Sequence, residues 1–177
     1  MRSWAKCAYL RVGYSGIQCH RSVRFGRGVV VQAFDGGSIK IGHGSFILDH
    51  AVVEAKGGSL ILGPGSLVGR GSVIVATQEI VIGDGTLIAE YVTIRDQDHA
   101  HSGEAPLDNQ GLAKAPIRIG HDVWLGAKVS VTKGVTIAPR CVIGANAVVT
   151  CSLTERGVYG GVPARLLRRV ERDSESL

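Results

Sequence analysis

An aliphatic residue returns at every sixth position over the second half of this chain: Ile119, Leu125, Val131, Ile137, Ile143 and Val149. Four residues after each stand Val123, Val129, Val135, Cys141, Ala147 and Leu153, of which only the last is large. Gly or Ala follows the aliphatic residue at Gly120, Gly126, Ala138 and Gly144. Sandwiches and barrels alternate with period two and turn roughly every 8–12 residues; a period of six does neither. Hexads grouped in threes fold a chain around a triangle, with a short strand on each side and a turn at each corner, where Gly or a small polar residue relieves strain. The aliphatic side chains point inward and stack on their equivalents one coil away. Backbone groups pair between coils, which gives three parallel sheets with about 4.8 Å between strands.

The same pattern runs through the first half with insertions. The hexad IGHGSF opens at Ile41 with Ser45 four residues on, and the next opens at Ile47 with Ala51. Leu62, Val68 and Ile74 form one triplet, Ile82, Ile88 and Ile94 another, and Phe25 and Val31 a worn first turn. Ile119 to Ile137 is an uninterrupted coil of 18 residues, while Ile41 to Leu62 spans 21 and Leu62 to Ile82 spans 20, so these coils carry short insertions. The composition agrees, with 25 glycines, 45% hydrophobic residues and only 5% aromatics, as suits closely packed strands between tight turns. One all-β domain is expected: an N-terminal cap at 1–24, a β-helix of hexapeptide repeats over 25–162, and a C-terminal helix and tail at 163–177. The helix reading rests on PARLLRRVER, with Pro163 in its first turn and apolar residues at 166, 167 and 170. Such a helix would protect the strand edges at the open end of the stack. Residues 95–118 carry no hexad and form an extended loop, and long excursions from compact solenoids are usually functional.

The net charge of +5 gathers at the two ends, at Arg2, Lys6, Arg11, Arg21, Arg24 and Arg27 and at Arg165, Arg168, Arg169 and Arg172. These read as solvated ends. Without aromatic stacking platforms or a recognised module, nucleic acid is not an expected partner. The four cysteines, Cys7, Cys19, Cys141 and Cys151, form no CxxC pair or zinc spacing. No stretch reads as a signal peptide or a transmembrane segment, and the expected location is cytoplasmic.

The loop brings Asp96, Asp98, His99 and His101 together directly after the strand ending at Ile94. Histidine takes a proton near neutrality, and an adjacent carboxylate can hold one ring nitrogen so that the other acts as base. The plain alternative is an exposed polar loop. The stretch IGHDVWLGAKVSVTKGVTIAPRCVIGANAVVT and the following GVPARLLRRV resemble the C-terminal signature of the hexapeptide-repeat O-acetyltransferases. These include the maltose, galactoside and nodulation-factor enzymes and those of surface-polysaccharide clusters; IRDQDH is particularly similar to the last group. The likeness covers about residues 25 to 170 and implies a left-handed parallel β-helix.

In that family the catalytic histidine stands five residues after the aliphatic residue that closes a hexad, and five from Ile94 is His99. The resemblance therefore implies that His99 deprotonates a sugar hydroxyl as it attacks the thioester of acetyl-CoA, with direct transfer and no metal. Asp96, Asp98 and His101 are candidate orienting or acceptor-side residues. For acetyl-CoA it implies Trp124 beside the thiol end, Ala127 and Ala145 along the pantetheine arm, Thr150 beyond them, and Arg165 and Arg168 toward the phosphates. Cys151 stands where the family usually has Lys, which removes one phosphate-directed charge. Gly69 and Thr77 stand where the galactoside enzyme has acceptor-binding Asn and Asp, and the longer N-terminal domain of the maltose and galactoside enzymes is not expected here. Both departures argue against maltose and simple galactosides. The family's assembly implies a homotrimer.

Two other activities and one inert role compete with this reading. An N-acetyltransferase of an amino or nucleotide-linked sugar would depend less on a base, because amines are better nucleophiles. A γ-carbonic anhydrase would need two histidines five apart for zinc, and His20, His43, His50, His99, His101 and His121 include no such pair. His121 reads as a corner residue. A non-catalytic β-helix scaffold is the third reading.

Overall fold

The structure is a computed structural model that describes residues 16–170. Over these described residues the chain winds into six coils of three short strands each. The first holds β1 (Ile17–Cys19), β2 (Arg24–Phe25) and β3 (Val30–Phe34); the second β4 (Ser38–Ile41), β5 (Phe46–Ile47) and β6 (Val52–Lys56). The third holds β7 (Ser59–Leu62), β8 (Leu67–Val68) and β9 (Val73–Ala76); the fourth β10 (Glu79–Ile82), β11 (Leu87–Ile88) and β12 (Thr93–Arg95). An excursion, β13 (Gln97–His99) and β14 (Leu112–Lys114), precedes the fifth coil of β15 (Ile117–Ile119), β16 (Trp124–Leu125) and β17 (Ser130–Val131). The sixth coil, β18 (Thr136–Ile137), β19 (Val142–Ile143) and β20 (Val148–Val149), leads to β21 (Gly157–Gly160) and β22 (Arg165–Arg169).

Equivalent strands of successive coils pair in parallel and form the three faces of a prism. The hexad register is the stacking register. On face one Ile41 lies beside Leu62, Leu62 beside Ile82, Ile82 beside Ile119, and Ile119 beside Ile137. On face two Ile47, Val68, Ile88, Leu125 and Ile143 follow one another, and on face three Val53, Ile74, Ile94, Val131 and Val149. All of these side chains are buried.

Four places on from the face-one and face-two residues the side chains are buried too, and some carry hydroxyls. At the corner between faces one and two, Ser45 donates to the carbonyl of Gly63 at 3.1 Å, Ser66 to Gly83 at 3.2 Å and Thr86 to Gly120 at 3.0 Å. A hydroxyl is tolerated inside the stack because the next coil supplies an acceptor.

The insertions all fall at one corner. Spacing across the first corner (face one to two) and the second (face two to three) is six residues in every coil, from Cys19 to Phe25 to Val31 through Ile137 to Ile143 to Val149. At the third corner, back to face one, Val31 to Ile41 takes ten residues, Val53 to Leu62 nine, Ile74 to Ile82 eight, Ile94 to Ile119 twenty-five, and Val131 to Ile137 six. The long excursion is the extreme member of this series.

Two boundaries differ from those expected. The β-helix begins at Ile17, since β1 pairs with β4 through Ile17–Ile39 and Cys19–Ile41. Cys19 occupies the aliphatic position of the first coil, so the hexad there does not announce itself; residues 1–15 of the expected cap lie outside the described residues. The C-terminal segment is not a helix. Residues 165–169 form β22, antiparallel to β21, with Gly157 opposite Arg169 and Gly160 opposite Arg165. All five side chains of β22 are exposed, so no apolar face is buried to hold a helix. The strand instead satisfies backbone groups of the open edge. Residues 171–177 lie outside the described residues.

Corners explain the glycines. A Cβ on Gly69 would lie 2.2 Å from the carbonyl oxygen of Ala89, whereas Gly65 has open space around it but φ +67°. Gly65→Ala is expected to cost about 1–2 kcal/mol for the left-handed conformation, and Gly69→Ala about 3 kcal/mol or more, because backbone of the next coil must move. Chemical denaturation of the two variants gives the order.

Alkaline pH is expected to weaken the last coils. Burial pushes up the thiol of Cys141, which donates to the Glu155 carbonyl at 3.3 Å, and the phenol of Tyr159, which donates to the same carbonyl at 2.7 Å. Both ionise more readily unfolded than folded, so their stabilising effect is complete below their ordinary values and falls away as pH rises above them, from about 8.5 for the thiol and about 10 for the phenol. Cys141→Val is expected to flatten the fall in melting temperature between neutral and alkaline buffers.

Candidate active site

The excursion is a β-hairpin. Gln97 lies opposite Lys114, Asp98 opposite Ala113 and His99 opposite Leu112. Its far end carries a single 3₁₀ turn, Leu107–Asn109. There the Gln110 side chain accepts from the Gly103 N–H at 2.9 Å and donates to the carbonyls of Gly103 and Ala105.

The base of the hairpin is tied to the coils on both sides. Asp96 is fully buried. Its Oδ1 accepts from the Thr77 N–H at 2.8 Å and the Thr77 hydroxyl at 3.0 Å; its Oδ2 accepts from the N–H groups of Gln78 at 2.7 Å and Glu79 at 2.8 Å. The Ala115 N–H donates to the Asp96 carbonyl at 3.0 Å, and the Gly134 N–H donates to the Ala115 carbonyl at 3.1 Å. Asp98 forms an ion pair with Lys133 of the next coil.

Successive residues of a strand face opposite ways, so His99 stands on the side of β13 away from Asp98, and it is exposed. The His101 Nδ1 lies 3.4 Å from the His99 main-chain carbonyl. The two aspartates read from the sequence as possible orienting groups therefore have other partners in the chain, one in the third corner below and one in the coil above.

The residues matched to acetyl-CoA lie elsewhere on the prism. Trp124 projects from face two, 52% exposed, between Leu87 and Val142. Ala127 and Ala145 occupy the same place in the second corners of the fifth and sixth coils, joined by the Asn146 N–H donating to the Ala127 carbonyl at 2.9 Å. In the four earlier coils that place holds Arg27, Asp49, Arg70 and Glu90. These alternate in sign, and Arg27 and Asp49 are 3.7 Å apart. The Arg27 backbone N–H, bonded at 2.9 Å, chiefly holds the Asp49 carboxyl below its ordinary value. The column thus changes from charged side chains to bare alanines where the groove is expected.

Thr150 is exposed at the third corner of the last coil, next to exposed Cys151. Arg165 and Arg168 are exposed on β22, whose approach is fixed by the Ala164 N–H donating to the Val148 carbonyl at 2.8 Å. The chain thus groups Trp124, Ala127 and Ala145 around face two and the second corner, and puts His99 at the third corner. Face three separates them. His121 is an exposed corner residue bonded to Asp122 at 2.9 Å, which holds that carboxyl below its usual range. Among the described residues no group of three His, Cys, Asp or Glu side chains is placed to hold a metal ion, and no helix is long and apolar enough to cross a membrane. A groove of 910 Å³ lies along face one and the first corner, beside Lys40, His43, Ile61, Pro64 and Val81; it contains none of the motif residues.

The comparisons with known proteins agree with the repeat. Residues 116–151 match the family described as bacterial transferase hexapeptide (six repeats). The chain belongs to the hexapeptide-repeat transferases. It is 37% identical over 148 residues to a Mycobacterium tuberculosis protein named a probable acetyltransferase, covering 82% of this chain and 49% of that protein. It is 34% identical over 110 residues to the Escherichia coli protein WbbJ, provisionally named a lipopolysaccharide biosynthesis O-acetyl transferase, covering 58% of this chain and 56% of WbbJ. The chain spans about half the length of these curated relatives. Among solved structures, the N-acyltransferase AntD of Bacillus cereus, in complex with dTDP and 3-hydroxybutyryl-CoA, has the same fold. Its TM-score is 0.78 at 19% identity, covering 97% of this chain and 92% of that one. A hexapeptide-repeat acetyltransferase of Vibrio cholerae in complex with acetyl-CoA has TM-score 0.59 at 25% identity, covering 82% and 73%.

The partners of Asp96 and Asp98 are not legible in the sequence. Residues 77–79 and Lys133 carry no motif, and only the coil geometry brings them to the hairpin. Because the Asp98–Lys133 pair is partly exposed, Lys133→Ala and Asp98→Asn are each expected to lower stability by only about 0.2–1 kcal/mol. A double-mutant cycle in denaturant measures the pair.

Proposed function

We propose that this protein is an acyltransferase that moves an acetyl group from acetyl-CoA to a sugar hydroxyl in surface-polysaccharide or lipopolysaccharide synthesis. The observation that carries the reading is the placement of His99: an exposed imidazole on a strand whose base is bonded to the coils on either side, five residues past the hexad that ends at Ile94.

A hydroxyl is a poor nucleophile at neutral pH. His99 takes its proton as the oxygen attacks the thioester carbonyl, a contribution of about 10²–10⁴ in rate. Backbone N–H groups stabilise the tetrahedral oxyanion. When the intermediate collapses, the C–S bond breaks, the acetyl group stays on the sugar oxygen, and the proton passes from His99 to the departing CoA thiolate. No covalent acyl-enzyme and no metal take part.

The pantetheine arm lies against Ala127 and Ala145, where the main chain is not screened by larger side chains, with Trp124 at the thiol end. Thr150, Arg165 and Arg168 face the nucleotide end, where guanidinium groups suit phosphates. The assembly is a homotrimer; the placement of the cofactor residues and His99 at opposite edges of face three supports a site shared between copies. An acetyl-CoA held on the second corner of one prism then meets His99 of its neighbour. The WbbJ relationship supports the polysaccharide context. A donor of this kind puts the reaction in the cytoplasm.

The test follows thiol release from acetyl-CoA with a panel of neutral sugars, amino sugars and soluble polysaccharide fragments. His99→Ala is expected to lower kcat/KM for a hydroxyl acceptor by about 10²–10⁴, to leave CoA binding intact, and to affect amine acceptors far less. Full hydroxyl transfer by His99→Ala overturns the assignment of the base, and transfer to amines alone makes the protein an N-acetyltransferase. Sedimentation is expected to give the mass of three chains; a fully active monomer overturns the shared site.

A further inference from the structure

We propose that Asp96 is a positioning residue for His99, acting through the backbone of the hairpin and not through the imidazole. The proposal rests on His99 being the base. In the second and third coils the first face-one N–H donates to a main-chain carbonyl in the third corner of the next coil: Ser38 to Gly58 at 2.9 Å and Ser59 to Gln78 at 3.0 Å. These three positions, Ser38, Ser59 and Glu79, are register partners. At Glu79 the series meets the excursion, and the ordinary corner that would supply the next carbonyl is missing because the chain leaves the prism.

The acceptor there is the side chain of Asp96. Its Oδ2 takes the Glu79 N–H at 2.8 Å and the Gln78 N–H at 2.7 Å, and its Oδ1 takes the N–H and hydroxyl of Thr77. One carboxylate thus satisfies three consecutive N–H groups, a concave arrangement suited to an anion. The Gln97 side-chain amide lies 3.2 Å from the same Thr77 hydroxyl, so β13 is joined to this corner from its first residue. The Asp96 carbonyl meanwhile accepts from Ala115, the residue that ends the hairpin's return. Asp96 therefore fixes where β13 leaves the stack, and His99 stands three residues further on the same strand.

Unlike a residue that merely stabilises the coils, Asp96 holds an element outside them. The experiment compares Asp96→Asn with the parent chain, using methyl glucoside or the best hydroxyl acceptor of the panel. Asn is similar in size but replaces one accepting oxygen by a donor facing N–H groups. The expected result is a fall in kcat of about 10- to 100-fold, as for a misplaced catalytic group. KM for acetyl-CoA stays within about twofold. Amide exchange speeds up at Ala100 and Ala115 but not at Trp124 or Gly126, within the coils. If Asp96→Asn does not fold, Thr77→Val, which deletes only the hydroxyl, carries the same readouts with a smaller loss. Unchanged turnover and unchanged exchange at Ala100 and Ala115 overturn the proposal, as does lost turnover with unchanged exchange. If His99→Ala transfers acetyl normally, the base assignment falls first, and this role for Asp96 falls with it.

Discussion

The stack of inward aliphatic side chains is the constraint from which the rest of the molecule follows. Each coil touches only its neighbours, so a coil stays in place only if its three inward residues lie over those of the coil before it. A slip of one residue on any face would turn the buried side chains outward. The chain meets this demand by keeping six residues across the first and second corners throughout and sending every surplus residue to the third. The excursion leaves there because it can lengthen without disturbing any stacked position. The address of His99 is therefore a consequence of the core.

The same logic explains the cost of leaving. An ordinary corner offers carbonyls to the corner beneath it, and a chain that departs takes those carbonyls away. A buried N–H without an acceptor is expensive, on the order of 1–3 kcal/mol. Three N–H groups at residues 77–79, the buried one of Thr77 among them, are satisfied by the single carboxylate of Asp96. Burying an unpaired carboxylate is itself costly, but one that accepts four hydrogen bonds is compensated. Each side of this arrangement makes the other possible, and together they give the hairpin a fixed root.

Most of the fold was legible in the amino-acid sequence because a six-residue period states both the strand and the partner of that strand one coil away. From Ile41 onward the stacked pairs are those the hexads name. Legibility fails where the repeat changes its chemistry or where a tertiary edge decides. Cys19 serves in an aliphatic place, so the first coil reads as something before the repeat. Leu166, Leu167 and Val170 have helical spacing, but the open edge of β21 draws their segment into a strand. In the loop, Asp96 and Asp98 look alike as neighbours of His99. Only the coil below, some 17 to 19 residues earlier in the chain, makes one of them a buried anchor, while the other reaches up to Lys133.

The second corner gives an independent reason to regard the two halves of the prism as different. Arg27, Asp49, Arg70 and Glu90 cover four coils with side chains of alternating sign, and Ala127 and Ala145 leave the next two bare. Shape alone does not require the change, because the turn is the same throughout: the residue that follows each of these has positive φ in all six coils, whether it is Gly28, His50, Gly71, Tyr91, Lys128 or Asn146. What differs is access to the main chain. Long charged side chains shield the earlier corners, whereas a methyl group lets a slender ligand approach the peptide groups of the later ones. The bare corner begins with the fifth coil, immediately after the hairpin has left the fourth. The change in the corner and the departure of the hairpin thus fall at the same level of the stack but at different edges of face three.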